Sequence, residues 1–168
     1  MTSSTSPKKV IPVSGGDDLG TRLKDILADL RIEYLQSHNT PWIIGFSGGK
    51  DSTLLAQLVL EMLMSLPPRQ RVRHIHIVAN DTLVESPVIA RHLDAVLNRI
   101  RSSIEPLRLP ITVAKTTPET EQTFWVNLIG RGYPSPSRMF RWCTDRMKIA
   151  PTTEYICSQV DASGAAIL

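Results

Sequence analysis

Cysteine is scarce in this chain, which carries only Cys143 and Cys157 among 168 residues. Two cysteines cannot build the disulfide framework of a small secreted domain, so the useful question is whether either binds metal or reacts. No apolar run approaches the roughly 18 residues that span a bilayer, and "MTSSTSPKKV" lacks the apolar core of a signal peptide. We therefore expect a cytoplasmic protein that has no membrane partner.

An excess of charge of one sign is also missing, since the formal net charge is only +3. Any argument for nucleic-acid binding must rest on local clusters of cations rather than on the total. With 42% hydrophobic and 21% charged residues, the composition is ordinary for a globular domain with one core. Residues 1–17 are rich in Ser, Thr, Pro and Gly, and we predict that they form a disordered arm.

Strand and helix patterns alternate along residues 18–168, which we predict to form one domain. The predicted elements are helix 18–38, strand 42–46, helix 51–66, strand 72–80, helix 86–104, strand 109–116, helix 119–129, an irregular segment 130–151 and helix 152–160. This alternation indicates an α/β fold with a doubly wound, mostly parallel sheet and helices on both faces. The final "GAAIL" has the pattern of an opening strand, so we expect the C-terminal part of the domain to be incomplete.

The loop after the first predicted strand reads Ser47-Gly48-Gly49-Lys50-Asp51-Ser52. It is not the P-loop G-x-x-x-x-G-K-[ST], because Ile44 stands where the first Gly is required and Asp51 where the hydroxyl residue is required. In a parallel sheet such a loop lies at the carboxyl edge, where the amides of a helix N-terminus bind anions. The two glycines permit close approach of a phosphate and Lys50 adds a cation. We predict a phosphate-binding loop.

Two further segments hold candidate site residues. The second predicted strand runs into "ANDTLVESP", which places Asp81 and Thr82 at the carboxyl edge, beside the nucleotide crevice. The segment "RGYPSPSRMFRWCTDRMKI" holds five cations against one acid, and aromatic residues lie between them. These cations are Arg131, Arg138, Arg141, Arg146 and Lys148. We expect them to neutralise phosphates, with the neighbouring rings Tyr133, Phe140 and Trp142 available to stack on a base.

The motif S-G-G-x-D-S resembles the pyrophosphate loop of the ATP pyrophosphatases, also called the PP-loop or adenine-nucleotide α-hydrolase-like family, whose members cleave ATP between its α and β phosphates. The segment "DTLVESP" is similar to the D-T-x-x-x-x-P-E region of the phosphoadenosine phosphosulfate reductases. "RWC" resembles their R-W-C-C segment, with Thr144 in place of the second Cys. Together, "FSGGKDST", "DTLVESP" and "GYPSPSRMFRWCTDRMKI" resemble the DndC family of bacterial DNA phosphorothioation and its single-strand counterpart, the SspD family.

This resemblance implies an ATP pyrophosphatase that activates a DNA backbone phosphate for sulfur incorporation. The implied partners are DNA, a cysteine desulfurase and other DNA phosphorothioation proteins. The residues expected to bind ATP are Ser47, Gly48, Gly49, Lys50, Asp51, Ser52, Asp81, Thr82, Arg138 and Lys148. The residues expected to assist catalysis are Lys50, Asp51, Asp81, Arg141 and Arg146.

Two metal cofactors are also expected. Mg²⁺ is expected between the phosphates and Asp51 or Asp81. The resemblance further implies that Cys143 ligates a 4Fe-4S cluster in a longer form of the protein. Such a cluster takes four thiolates and this chain offers two, so a complete cluster is not expected here.

Two alternatives to this function remain open. A sulfonucleotide reductase would need a catalytic Cys, normally near the C-terminus. A non-enzymatic nucleotide-binding assembly subunit would bind ATP without releasing pyrophosphate. Three other features have structural interpretations: "RQRVRH" as a solvated turn, His74 and His76 as partnered strand residues rather than metal ligands, and Cys157 as a core residue of the last helix.

Overall fold

The computed structural model describes residues 18–38 and 40–167, so the predicted arm over residues 1–17 lies outside the described residues. The first six elements are α1 (Leu19–Tyr34), β1 (Trp42–Gly45), α2 (Lys50–Ser65), β2 (Ile75–Asn80), α3 (Pro87–Ile104) and β3 (Ile111–Thr116). Each overlaps the element predicted for it. Local signals account for this agreement; for example, the Ser86 side chain accepts a hydrogen bond from the Ile89 amide, and Pro87 follows it at the first helical position.

The chain after β3 departs from the prediction. The helix predicted over 119–129 is instead a 3₁₀ turn (Thr120–Gln122) and a π-helical turn (Val126–Gly130). The irregular segment predicted over 130–151 already turns helical at Trp142, with α4 (Trp142–Thr144), a π-helical turn (Asp145–Ile149) and α5 (Ala150–Ser163). Residues 130–151, which end in Pro151, were predicted to be irregular because they are rich in Gly and Pro, and proline removes a helix donor. Beside a π turn the regular hydrogen-bond ladder is already interrupted, and proline is tolerated.

The three strands form a parallel sheet in the order β1-β2-β3. Trp42 lies beside Ile75, and Ile75 beside Ile111, so alternate residues of the strands share one face. This face is apolar and packs against α2 and α3, whose Leu63 and Leu97 are fully buried. The predicted α/β class with a parallel sheet is therefore confirmed.

The opposite face of the sheet is covered by α5. Ile43, His76 and Thr112 share this face by register. His76 is buried, and its Nδ1 lies 2.8 Å from the hydroxyl of Tyr155 on α5, to which it is hydrogen-bonded. The Nε2 atom of His74 is likewise 2.8 Å from the Thr112 hydroxyl. Both histidines are therefore partnered, as predicted, and helices lie on both faces of the sheet.

A bridge on the far side of β1 involves the predicted C-terminal strand. Ile167 forms a parallel bridge with Trp42. The Ile43 amide donates to the Ile167 carbonyl at 2.7 Å, and the Ile167 amide donates to the Pro41 carbonyl at 2.9 Å. Because β2 occupies one edge of β1 and Ile167 the other, β1 has neighbours on both sides.

Arg73 is only 1% exposed, so the prediction of a solvated turn before the second strand is wrong at this residue. Its Nη2 donates to the carbonyls of Gln36 and His38, at 3.1 and 2.8 Å. Its guanidinium lies 5.7 Å from the centre of the Tyr34 ring, and the Tyr34 hydroxyl donates to the Arg73 carbonyl. The carbonyls after α1 lack helical partners, and Arg73 supplies them with donors.

Within residues 18–38 and 40–167, no helix is long and apolar enough to cross a membrane.

Candidate functional site

The loop Ser47–Ser52 connects the carboxyl end of β1 to α2. Gly48 has a φ of +74°, a conformation that favours glycine, and Gly49 is extended and precedes the first residue of α2. The Ser52 hydroxyl accepts from the Ser47 amide at 3.3 Å and donates to the Gly49 carbonyl at 3.1 Å. Both serine hydroxyls lie 3.2 Å apart. The two serines therefore close the loop around the glycines and leave it exposed at the edge of the sheet.

A pocket of about 420 Å³ opens beside this loop, between the carboxyl ends of β1 and β2 and the helices α3 and α5. Its volume lies within the roughly 300–1,000 Å³ usual for small-molecule sites. The residues that line it are Gly45, Phe46, Ser47, Val78, Asn80, Glu85, Ile89, His92, Leu93, Lys148 and Thr152. The pocket thus joins an apolar wall to a few polar groups, which is the usual composition of a nucleotide or cofactor site.

Asn80 at the end of β2 holds one side of this pocket together. Its Oδ1 accepts hydrogen bonds from the hydroxyls of Thr152, at 2.9 Å, and of Thr116. Its Nδ2 donates to the Lys148 carbonyl at 3.4 Å. Lys148, from the π-helical turn before α5, lines the pocket. Asn80 therefore holds the backbone of Lys148 in place beside the pocket.

Asp81, predicted to serve both binding and catalysis, lies outside the residues that line this pocket. Its carboxylate pairs with Lys115 at 3.2 Å and accepts a hydrogen bond from the Leu83 amide at 3.0 Å. Lys115 also pairs with Asp94 at 2.8 Å. Hydrogen bonding to Asp94, and then to Asp81, raises the pKa of Lys115. The structure therefore gives Asp81 a role in shaping the turn after β2.

The neighbouring Thr82 is buried, and its hydroxyl donates to Glu85 at 3.2 Å. Glu85 in turn lines the pocket and is the one carboxylate among the described residues that do so. Lys50 and Asp51 form the exposed start of α2 and are not among these lining residues. Of the six loop residues predicted to bind ATP, only Ser47 is among the described residues that line the pocket, and the charged residues of that lining are Glu85 and Lys148.

Five aromatic rings organise the basic segment after β3. Phe124 stacks on Trp142 with ring centres 5.3 Å apart, and Tyr133 meets Trp142 edge to face at 5.5 Å. Phe140 lies 6.5 Å from Tyr133, and Trp125 lies 5.1 Å from Phe124. Trp142 is 5% exposed, and its indole donates to the Pro134 carbonyl. The structure therefore uses Trp142 as the centre of a small core and not as a free stacking surface.

The cations of this segment contact different partners or line different pockets. Arg131 pairs with Glu121 at 3.1 Å. Arg146 donates to Gln122 and to the Tyr133 hydroxyl, and its guanidinium lies 5.3 Å from the Tyr133 ring centre. Arg138 and Arg141 line a separate pocket of about 420 Å³ together with Pro136, Ser137, Cys143 and Thr144. Among these cations of the described chain, only Lys148 lines the pocket beside the loop, so the structure does not bring the predicted cations together around one pocket.

The cysteines do not fit a four-iron cluster within this chain. Cys143 is half-buried beside Arg138 and Arg141, whereas Cys157 is exposed on α5, which corrects its interpretation as a core residue. In the part of the chain that the structure describes, no three His, Cys, Asp or Glu side chains are grouped to hold a metal ion. A 4Fe-4S cluster needs four thiolates, so Cys143 stays a predicted ligand of a longer protein only.

Nine of the eleven residues that line the pocket beside the loop were not predicted as site residues, and four of these nine are polar: Asn80, Glu85, His92 and Thr152. Asn80 and Glu85 lie within the segment "ANDTLVESP", from which only Asp81 and Thr82 were predicted as site residues. His92 and Thr152 lie on helices whose orientation only the fold determines.

Comparison of the chain with models of known protein families finds no match, and neither does comparison with curated proteins.

Proposed function

We propose that the protein is an ATP pyrophosphatase of the PP-loop kind, converting ATP to AMP and pyrophosphate. The observation that carries this proposal is the pocket at the end of β1. It lies beside the glycine loop that precedes α2, from which Ser47 lines it, and it combines an apolar wall with Lys148 in one space of about 420 Å³. The loop at a helix N-terminus and Lys148 suit a phosphate chain, and the apolar wall suits a purine.

In this proposal the β and γ phosphates rest on the loop Ser47–Ser52. Its backbone amides and the first turn of α2 present positive partial charge to the phosphates. Lys148, which lines the same pocket, supplies a full positive charge. The adenine ring packs against Phe46, Val78 and Leu93, which line the same pocket. Because the phosphates and the adenine ring are both held in this way, the proposal leaves the α phosphorus between them accessible from the mouth of the pocket.

The proposed reaction is a displacement at the α phosphorus. An oxygen nucleophile forms a bond to that atom while the bond to the oxygen bridging the α and β phosphorus atoms breaks, and pyrophosphate leaves with the bonding electrons. The loop amides and Lys148 stabilise the charge that develops on the leaving group. Mg²⁺ entering with the nucleotide would neutralise further phosphate charge, and Glu85 of the pocket lining, with Asp51 at the start of α2, would supply carboxylates to hold it.

The nucleophile in the modification reaction is a backbone phosphate oxygen of DNA. This part of the proposal is supported by the three motifs that resemble the DndC and SspD families. Adenylation would make AMP the leaving group at the DNA phosphorus, so that sulfur can replace a non-bridging oxygen. A cysteine desulfurase is the proposed sulfur source, and other DNA phosphorothioation proteins are proposed as further partners.

Product analysis tests the central claim. The protein is incubated with ATP and Mg²⁺, with and without DNA, and the nucleotides and phosphates are separated by chromatography. We expect AMP and pyrophosphate in equal amounts. ADP with orthophosphate as the main pair would contradict the proposal. Tight ATP binding without any cleavage would favour the alternative of a nucleotide-binding assembly subunit.

Variants of Lys148 connect this activity to the pocket. We expect Lys148→Ala to weaken the binding of an ATP analogue about tenfold, because one charge-assisted contact to phosphate is lost. Arg99→Ala removes an exposed cation of α3 outside the pocket and should leave the affinity unchanged. Isothermal titration calorimetry measures both. Equal affinity in the two variants would show that the nucleotide does not occupy the pocket.

A further inference from the structure

The two arginines that the structure separates from the nucleotide pocket share a pocket of their own. It is lined by Pro136, Ser137, Arg138, Arg141, Cys143 and Thr144, and its volume is about 420 Å³. None of these described lining residues is acidic. Two arginines and the hydroxyl residues Ser137 and Thr144 therefore border one space that no described carboxylate residue lines.

These arginines differ from their neighbours in having no partner among the described residues. Arg131 is paired with Glu121, and Arg146 is engaged by Gln122 and Tyr133. Arg138 and Arg141 form neither an ion pair nor a side-chain hydrogen bond within residues 18–38 and 40–167. Arginine that is neither paired nor buried keeps all its donors free for an external anion.

The backbone around the pocket is anchored. Ser137 and Phe140 exchange backbone hydrogen bonds of 3.0 and 3.3 Å, which closes a tight turn with Arg138 at its tip. The Trp142 indole binds the Pro134 carbonyl at 3.0 Å, so the buried aromatic core holds the base of the same loop. The two cations are therefore presented by an ordered support, which reduces the entropy lost on binding.

The surface next to the cations suits a polymer better than a free phosphate. Phe140, between the two arginines in sequence, is 45% exposed, and Met139 is 96% exposed. An exposed aromatic ring beside arginines is the combination on which single-stranded nucleic acids bind, because bases stack on the ring while cations contact the backbone. A base within a duplex is already stacked on its neighbours and would not need the ring.

We propose that the Arg138–Arg141 pocket is a second phosphate site, which takes a backbone phosphodiester of single-stranded DNA while ATP occupies the pocket at the end of β1. This inference rests on the proposed function, since it supplies the DNA phosphate that ATP activates. It also separates the two anions: Lys148 faces the nucleotide, and Arg138 and Arg141 face the acceptor strand. Each guanidinium contacts a phosphate oxygen by charge-assisted hydrogen bonds.

Fluorescence anisotropy with a short labelled oligothymidylate tests the assignment. We expect the double variant Arg138→Gln/Arg141→Gln to bind the oligonucleotide at least about tenfold more weakly than the wild type. The slope of log affinity against log salt concentration should fall by about 1.4, which corresponds to two phosphate contacts on a single strand. The charge-matched control Arg69→Gln/Arg99→Gln alters exposed arginines elsewhere and should bind like the wild type.

Calorimetry with an ATP analogue completes the design. The Arg138→Gln/Arg141→Gln variant should keep wild-type nucleotide affinity, which also shows that it is folded. Loss of both ligands would overturn the idea of two separate sites, and so would DNA affinity equal to that of the control variant. Tighter binding of oligouridylate with the same arginine dependence would assign the site to RNA and overturn the DNA assignment. None of these binding measurements requires ATP cleavage, so a failed pyrophosphatase assay is a distinguishable result.

Discussion

At the scale of single residues, the two glycines of the loop have different tasks. Gly48 adopts a left-handed φ of +74°, and a Cβ placed there would lie 3.4 Å from the Leu93 side chain. Gly49 has an ordinary extended conformation, and its Cβ would meet only the Ser47 hydroxyl, also at 3.4 Å. The sequence pattern presents the pair as equivalent, but backbone strain distinguishes them.

We predict that Gly48→Ala lowers the free energy of unfolding by about 1–2 kcal/mol, because alanine is strained at this φ. Gly49→Ala should cost less than half as much. Urea denaturation measures both values, and calorimetry with an ATP analogue shows whether the loop still binds. A larger loss of nucleotide affinity in Gly49→Ala than in Gly48→Ala would indicate that the phosphate passes directly over Gly49 and that ligand contact outweighs strain.

At the scale of elements, the contact between α5 and β2 depends on a histidine that is buried in its neutral form. Burial, and secondarily the charge of His74, lowers the pKa of His76. Burial likewise lowers the pKa of His74. The groups that face His76 are Tyr155 of α5 and its own neighbour His74. Protonation is therefore easier in the unfolded chain, where histidine titrates near about pH 6.5.

We predict that stability is greatest above about pH 6.5 and falls as the pH drops from there toward the lowered pKa of His76. The unfolded state binds the proton first in this window, so acidification favours unfolding. One histidine changes the free energy of unfolding by at most about 1.4 kcal/mol per pH unit. Urea denaturation at about pH 7.5 and about pH 5.5 should show a smaller difference for His76→Gln than for the wild type. Equal differences would mean that His76 does not link protonation to folding.

At the scale of the whole molecule, the pocket beside the loop joins two parts of the chain. The sheet contributes Gly45, Val78 and Asn80, and the segment after β3 contributes Lys148 and Thr152. The link between them is polar, since Asn80 binds the Thr152 hydroxyl and the Lys148 carbonyl. A ligand in this pocket contacts both parts and so stabilises their association.

We predict that an ATP analogue with a methylene group between the α and β phosphorus atoms slows hydrogen exchange at the start of α2 and along α5. Helix α1 contributes no residue to the pocket and should exchange at the same rate with and without the analogue. Hydrogen–deuterium exchange followed by mass spectrometry measures all three helices. Protection restricted to α2 would show that the nucleotide rests on the loop without closing α5 onto the sheet.

The predicted sheet strands and the helices between them agree with the structure because their signals are local. A short apolar run bounded by turn residues produces β1, and Ser86 followed by Pro87 starts α3. The loop after β1 could be recognised for the same reason, since its six residues lie together in the chain. The prediction failed after β3, where a π-helical turn admits Pro151 into a continuous helical segment.

The sequence by itself determined the alternation of strands and helices, the loop at the end of β1 and the identity of the cations after β3. Only the tertiary structure decided which residues each charged side chain contacts. Asp81 is neutralised by Lys115, 34 positions away, and Arg146 is held by Gln122, 24 positions away. Cations that are neighbours in the chain diverge around a turn and a helix, so Arg141 and Lys148 reach different pockets. A sequence pattern records spacing along the chain, whereas charge pairing depends on distance in space.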